Sequence, residues 1–461
     1  MKVKALSRSR ASTQRECSGD LRKHHRNLDP AYHPMQRPRE YTRAVTSAKI
    51  QRMFAHPLIG NLGNGHQDAV THTAVSRQSL LPLLSGCADG TLSLWDLPTR
   101  SNVAKLMNAH TMAVKGIGFG LDDDFYSCSA DGTLRRWSVP NVISQQQQEQ
   151  IEQNIVIKPE DTWRISGNFQ SLDHHWTERQ FVTASDSAVQ LWTPERSTPI
   201  QTHSDLWGSD DTVTVVRFNP AESHLLASCS MDRGIGLHDM RTGSEMKKTI
   251  LRMRCNDLQW NPMEPLNFAV ANEDYQSYTF DMRKLNQPTY IYKGHTSAVM
   301  SLSWAPTGRE FVTGSYDRTI RIFNLNDRNG TARDIYHTKR MQRVFDVQFT
   351  MDNAFVVSAS DDTNLRLWKA RANEKLGQLT TREESAMQYR DALIKKYEHL
   401  PGVKKIHRSR KIPKVIKKQT AQTIIQKESA ERKHANRIKH SKPGTHQFVS
   451  ERKKVVHKEI D

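Results

Sequence analysis

Nowhere in the 461 residues do about 18 apolar side chains follow one another, so no segment reads as a membrane-spanning helix. The start, MKVKALSRSR, is basic and polar without an apolar core and does not read as a secretory leader. No GxSxG, P-loop, HExxH or GxGxxG stands in a strand–helix setting, which leaves no sequence sign of an enzyme, a cofactor or a small-molecule substrate. Cysteine is sparse and odd in number: Cys17, Cys87, Cys128, Cys229 and Cys255. None forms a CxxC pair, which argues against a zinc site. Three recur in like settings, SGCAD, SCSAD and SCSMD, and read as small buried residues in a reducing compartment.

What the chain has in excess is positive charge, unevenly placed. Lys and Arg number 67 against 49 Asp and Glu, a formal +18. Residues 1–48 hold 11 basic and 4 acidic side chains, net +7; residues 371–461 hold 24 and 10, net +14; residues 49–370 hold 32 and 35, net −3. Two cationic tails therefore flank a nearly neutral middle. A localised +14 points to a polyanionic partner, most simply nucleic acid, with an acidic protein surface as the alternative. The plainer readings are a solvated tail or an import signal. The densest stretch, HRSRKIPKVIKK at 407–418, has six cations in twelve positions and no acid.

The middle repeats seven times. An Asp precedes an aromatic residue or His by six positions in each unit: Asp89 and Trp95, Asp131 and Trp137, Asp186 and Trp192, Asp232 and His238, Asp274 and Phe280, Asp317 and Phe323, Asp362 and Trp368. The end positions advance by 42, 55, 46, 42, 43 and 45 residues. The segments between are short and alternating, as in TLSLWDL, TLRRWSV and TIRIFNL. A Val stands five positions before an aromatic earlier in several units, as in Val114 and Phe119, Val299 and Trp304. With Gly-His openings at His66 and His295, Ala-His at His110, and the Trp95-Asp96 pair, the pattern resembles the WD-repeat β-propeller family. The resemblance implies an all-β fold, a seven-bladed ring over 49–370, with a basic N-terminal arm (1–48) and a basic helical C-terminal tail (371–461).

A single blade cannot bury its own faces, so the repeats must close into a ring. Trp368 ends the last repeat with no outer strand after it, and KIQRMFAHPLIGNL, residues 49–62, is the expected donor. In the WD-repeat family the turn Asp and the Gly-His imidazole hydrogen-bond across a blade. His66, His110 and His295 are accordingly expected to be structural rather than metal ligands. The paired acids at 122–124 and 361–362 fall in blade turns. The 55-residue step holds an insertion containing SQQQQEQ, 144–150, expected as a surface loop. Blade three, with no Gly-His, is the weakest match.

Beyond residue 371 the pattern becomes helical. Thr380 and Glu383 have capping-box spacing; Ala386, Tyr389, Leu393, Tyr397 and Leu400 share one face; Pro401 and Gly402 end the helix. That stripe predicts docking, with the side of the ring as the expected surface. KQTAQTIIQKESAERKHANRIKHSKPG is helix-compatible up to Pro443 and poor in aromatics, so it reads as a phosphate-contacting arm that orders on a partner rather than a base-stacking platform. The candidate RNA- or partner-binding cations are Arg408, Arg410, Lys411, Lys414, Lys417, Lys418, Arg432, Lys433, Arg437, Lys439 and Lys442.

The ending, ANEKLGQLTTREESAMQYRDALIKKYEHLPGVKKIHRSRKIPKVI with KHANRIKHSKPG and ERKKVV, resembles the C-terminal domain of the suppressor-of-fibrillarin family. The N-terminal arm is similar too, in LSRS at 6–9, RNLDPAYHP at 26–34, REYTRAV at 39–45 and KIQRMFAHP at 49–57. GNLGNGHQDAV departs from the family, which runs straight into Gly-His. The resemblance covers nearly the whole chain. It implies a nucleolar, non-enzymatic scaffold of the small-subunit processome, needed for pre-rRNA processing, with pre-ribosomal RNA, the box C/D small nucleolar RNP and other processome proteins as partners. A runner-up rests on two D-x-R triplets, Asp239-Met240-Arg241 and Asp281-Met282-Arg283, which look like those of substrate receptors that contact the adaptor of cullin-four ubiquitin ligases. The plainer reading pairs each Arg with a blade-edge acid. A histone-binding ring is a third reading, but it leaves the tail unexplained.

Overall fold

The computed structural model describes residues 18–19, 29–63, 66–149, 157–165, 167–186, 188–203, 211–241, 244–325, 327, 329–442, 445–446 and 449–460. Cys17, the LSRS segment, the first three residues of RNLDPAYHP and Gln150 lie outside them. The chain divides into two compact units, Met1–Pro57 with Arg371–Lys411 and Leu58–Ala370 with Ile412–Asp461.

The larger unit is a seven-bladed propeller of antiparallel sheets. Blade 1 shows the plan: Val70–Val75 innermost, then Pro82–Cys87, Leu92–Asp96 and, outermost, Ser101–Leu106. In all seven blades the register slips within the first three residues of the inner strand, so the repeated Val stands just before a bulge. Blade faces are buried against neighbours. Ala269 and Ala271 of blade 5 pack with Val299, Leu302 and Trp304 of blade 6. A fully buried large apolar side chain contributes roughly 1.5–3 kcal/mol, and Trp95, Trp137, Trp192 and Trp368 are all fully buried.

Closure is by overlap, with one change from the sequence reading. Leu58–Leu62 forms the outer strand of blade 7 against Leu365–Lys369. Residues 49–53 do not take part; they complete helix α1 (Gln36–Met53). The cause is a helical period: Ala44 and Ala48, one turn apart, are both buried in a helical core. Leu62 joins Val70, Leu83, Val357 and Leu365 in the core that seals blade 7 to blade 1.

The 55-residue step also differs from expectation. The stretch starting SQQQQE is helical, within α2 (Val139–Glu149), and the insertion separates the third strand of blade 2 from its outer strand, Asp161–Arg164. Val142 is buried and Val139 and Ile143 pack on the blade 1–2 core, so apolar residues before the Gln run anchor the helix. Blade 3 forms fully despite its weak signature.

The smaller unit is helical. α3 (Thr381–Tyr397) starts as expected, the Thr380 hydroxyl accepting from Glu383 N. Pro401 and Gly402 do more than stop it: Pro401 opens helix α4 (Pro401–Arg408), where proline suits the first turn. The apolar stripe of α3 packs on α1 and α4, with Leu393, Ile394 and Val403 buried among Ala44 and Ala48. That covering replaces the expected one, the side of the ring. Gly402 permits the approach, because a Cβ there would stand 2.3 Å from the Tyr41 hydroxyl oxygen. Buried Glu40 accepts from Lys396 Nζ at 2.7 Å and Tyr397 Oη at 2.9 Å. α1 runs through residue 48, and the 371–461 stretch is divided between the two units at Lys411.

The last helix, α5 (Lys414–Lys439), belongs with the propeller unit. After it the chain adds a fifth strand, Val456–Ile460, to blade 4 against the outer strand Ser244–Leu251. Val455 and Val456 pack on the blade 4–5 core, Lys293 pairs with Glu451 at 2.5 Å, and Arg452 lies 5.6 Å from the Tyr290 ring.

Candidate nucleic-acid and protein interfaces

The polar residues that recur from repeat to repeat turn inward. In blade 2 the Trp137 indole donates to Ser127 Oγ (3.0 Å), which also meets His110 Nε2 (2.8 Å); His110 Nδ1 meets Thr133 Oγ1 (3.0 Å) and Asp131 (3.3 Å). Blade 6 repeats this with His295, Thr313 and Asp317, the last at 2.9 Å from His295 Nδ1. His66 in blade 1 reaches Ser85 and Thr91 rather than Asp89. Burial pushes His66 and His110 down to about 4, against Asp89 and Asp131. Burial alone would raise the Asp131 carboxyl, but Thr133 and Thr111 outweigh it and hold it at about 2. These groups are a neutral imidazole and a carboxylate locked into a turn. Blade 7 has no such His; buried Arg366 makes two bonds to Asp362 instead.

The inner strands enclose a channel of about 420 Å³. Its carboxylates close the ring. Asp346 of blade 7 accepts from Thr73 N (2.7 Å) and Thr73 Oγ1 (2.8 Å) of blade 1 and from Ser301 Oγ (2.6 Å) of blade 6. Asp257 of blade 5 accepts from Leu302 N of blade 6, and Asp173 of blade 3 from Phe218 N of blade 4. Burial pushes Asp257 up to about 7, with Arg217 opposing. These acids are spent on neighbouring backbones. Sequence reasoning missed them because each sits in an otherwise ordinary inner strand.

The D-x-R triplets end the third strands of adjacent blades, Gly234–Asp239 and Ser277–Asp281. Met240 is buried and Met282 packs on the core, while Arg241 and Arg283 project with side chains 72% and 65% exposed. Arg283 grips Asp281 with two bonds, 3.1 and 2.8 Å; Arg241 stands 3.7 Å from Asp239. Each arginine thus pairs with its own acid and keeps its outer edge in solvent.

The candidate cations lie on the tail. Arg408, Lys411, Lys414, Lys417, Lys418, Arg432, Lys433, Arg437, Lys439 and Lys442 are exposed. Arg410 is half-buried, its guanidinium donating to the carbonyls of His407 and Ser409. Residues 401–427 carry nine cations and no acid. Within α5 only Ile416 is buried, so the helix exposes its cations along its length. Its Lys427 acts electrostatically on Asp274 of blade 5. Among the described residues no acidic or Cys/His cluster could hold a metal, and no helix is long and apolar enough to cross a membrane.

A closed seven-bladed ring with turn-locking His–Asp pairs, followed by an exposed cationic helix, defines a WD-repeat propeller with an appended tail. The WD domain, G-beta repeat, matches residues 58–96, 101–138, 286–324 and 335–369, and the Sof1-like domain matches 370–456. The chain is 42% identical over 457 residues to the human DDB1- and CUL4-associated factor 13, covering 99% of both chains. It is 40% identical over 462 residues to the Danio rerio protein of that name, covering all of both, and 38% identical over 472 residues to Protein SOF1 of Saccharomyces cerevisiae, covering 99% of this chain and 94% of that one. The chain belongs to the Sof1 family of WD-repeat proteins.

Proposed function

We propose that the protein is a non-enzymatic scaffold of small-ribosomal-subunit assembly, acting in the nucleolus. Its ring docks assembly proteins, and its tail contacts pre-ribosomal RNA or the box C/D small nucleolar RNP. Family membership along the whole chain supports the process. The observation that carries the RNA contact is the acid-free run of nine cations entering a solvent-exposed helix. Contacts of this kind hold register on phosphates and carry no base code. The test is crosslinking of the tagged protein to RNA with sequencing. Reads concentrated in pre-rRNA or a box C/D RNA are expected, and their absence overturns the reading. Changing Arg408, Arg410, Lys411, Lys414, Lys417 and Lys418 to Gln should flatten the salt dependence of RNA binding by up to about 4 in log–log slope, at about 0.7 per single-strand phosphate contact. Arg410, tied to backbone carbonyls, contributes least. An added import signal should not rescue processing; full rescue would reduce the stretch to an address label.

The second reading, an adaptor-bound receptor of a cullin-four ligase, is favoured by Arg241 and Arg283, exposed at the same position of adjacent blades, and by the names of the relatives. Arg241→Ala with Arg283→Ala should abolish adaptor co-purification and leave pre-rRNA processing intact. Loss of processing with retained folding would assign both arginines to the assembly interface.

A further inference from the structure

The helical unit carries a groove that neither reading uses. It lies between α1 and α3 and encloses about 670 Å³, within the usual range for binding clefts. Its apolar part comes from Met35, Ala386, Tyr389 and Leu393. Arg39, Arg43 and Arg390 also line it, and all three are exposed. No carboxylate lines the groove, and among the described residues no hydrogen bond or ion pair engages these three guanidinium groups. The nearby acids of the unit are already committed: Glu40 to Lys396 and Tyr397, Asp391 to Gln51, and Glu383 to Lys375.

The arrangement is unfavourable as it stands. Arg39 and Arg43 are one helical turn apart, where like charges repel, and Arg390 adds a third cation across the cleft. A bound anion would relieve all three. An RNA strand would use the arginines but leave the exposed side chains of Met35 and Ala386 uncovered, and the lining of the groove offers no exposed ring for a base to stack on, since Tyr389 is half-buried. A wholly apolar helix would use the floor and leave the cations unanswered. The lining of α1 runs from Met35 to Ser47, about 18 Å at 1.5 Å per residue, enough for about three turns of a partner helix. We propose that this groove docks an acidic amphipathic helix of a partner protein, its apolar stripe on the exposed Met35 and Ala386 and its carboxylates on Arg39, Arg43 and Arg390. This is helix-in-groove recognition with arginine forks selecting carboxylates. The proposal is independent of the RNA reading, which concerns the cations of 401–427 and α5, none of which lines the groove.

The test uses the purified full chain and a fluorescent synthetic peptide of about 14 residues, with Leu at helical i, i+3, i+4 and i+7 positions and Glu on the flanking face. A second peptide has the same composition with the period scrambled, and a single-stranded RNA of matched charge is the third probe. Two variants are compared after melting curves show retained folding. Arg39→Glu with Arg43→Glu and Arg390→Glu reverses the charge; Ala386→Trp fills the groove without changing charge. The ordered peptide should bind the parent protein, and each variant should weaken it by at least about tenfold, with RNA affinity unmoved by Ala386→Trp. Equal binding of the scrambled peptide, affinity unchanged in both variants, or RNA lost in Ala386→Trp would each overturn the proposal. The last outcome would make the groove a nucleic-acid site.

Discussion

Replacing Asp317 with alanine tests whether the repeat carboxylates are structural, and the geometry sets the size of the effect. The carboxylate is buried and accepts from Thr319 N at 2.9 Å, Thr319 Oγ1 at 2.5 Å, His295 Nδ1 at 2.9 Å and Thr296 N at 3.3 Å. Arg321 Nη2 stands 3.9 Å away and is itself 5% exposed. Burial alone would raise this carboxyl; His295 and Arg321 outweigh it and hold it well below the usual carboxylate range. Alanine leaves at least one buried backbone donor unmet, at about 1–3 kcal/mol, and strands a buried guanidinium, where breaking a buried pair costs about 3–5 kcal/mol. The imidazole recovers part by exchanging tautomer toward Thr313. A net loss of about 3–5 kcal/mol follows. Asp89→Ala is the internal reference. Asp89 accepts from Thr91 N and Oγ1 and meets the weakly donating Cys87 thiol, its His partner having moved to Thr91, so about 1–2 kcal/mol is expected there. Urea unfolding of the full chain, followed by far-ultraviolet circular dichroism, compares the two. If Asp317→Ala falls within about 1 kcal/mol of Asp89→Ala, the pairing of Asp317 with His295 and Arg321 carries no special weight.

Acid should unfold the ring. His66 and His110 hold folded values near 4 against an ordinary 6.5, so the stability they contribute is complete above 6.5 and is lost as pH falls toward 4, which a melting series from pH 7.5 to 4 reads directly. Thr363 sits at φ 65° in the turn position that blades 1 and 2 give to Gly90 and Gly132, and β-branched residues resist that region; Thr363→Gly should raise stability by about 0.5–1 kcal/mol, and a fall in melting temperature would refute the strain. Val455→Asp with Val456→Asp should release the terminal strand from blade 4, so limited proteolysis should clip the tail early while the ring melts almost unchanged.

The ring was legible because its signature is local. An Asp six residues before a buried aromatic reports a tight turn and the strand after it, and neither depends on distant sequence. The hidden parts depend on partners far along the chain. Ala44 and Ala48 become a helix-packing face only because Leu393 and Val403 cover them, some 350 residues later, so residues 49–53 read as strand until that core is seen. The terminal strand is hidden for the same reason: its pairing edge, Lys248–Leu251, lies about 200 residues upstream. Of the candidate cations, composition located a stretch whose side chains are mostly exposed but not that Arg410 turns back on its own backbone. The arginine groove was invisible because its two walls come from opposite ends of the sequence.

The tail's architecture changes how it should bind. A charged arm that orders only on contact loses affinity to the entropy of ordering, roughly 1–2 kcal/mol per backbone residue fixed. α5 is already a helix of 26 residues, and its sequence favours that state: Glu428 and Arg432 have the favourable i, i+4 order, and the interior holds no Gly or Pro. Downstream, the strand Val456–Ile460 and the Lys293–Glu451 pair return the chain to blades 4 and 5. A helix followed by an anchored strand presents its cations with less freedom left to lose. The net −3 of residues 49–370 gives the ring no overall charge that would attract a polyanion. On the proposed RNA reading the tasks separate by charge, with rigidity in the neutral ring and the phosphate contacts in a preformed cationic helix. On that logic, breaking α5 with a mid-helix proline, at unchanged net charge, should weaken RNA binding while leaving its salt slope intact.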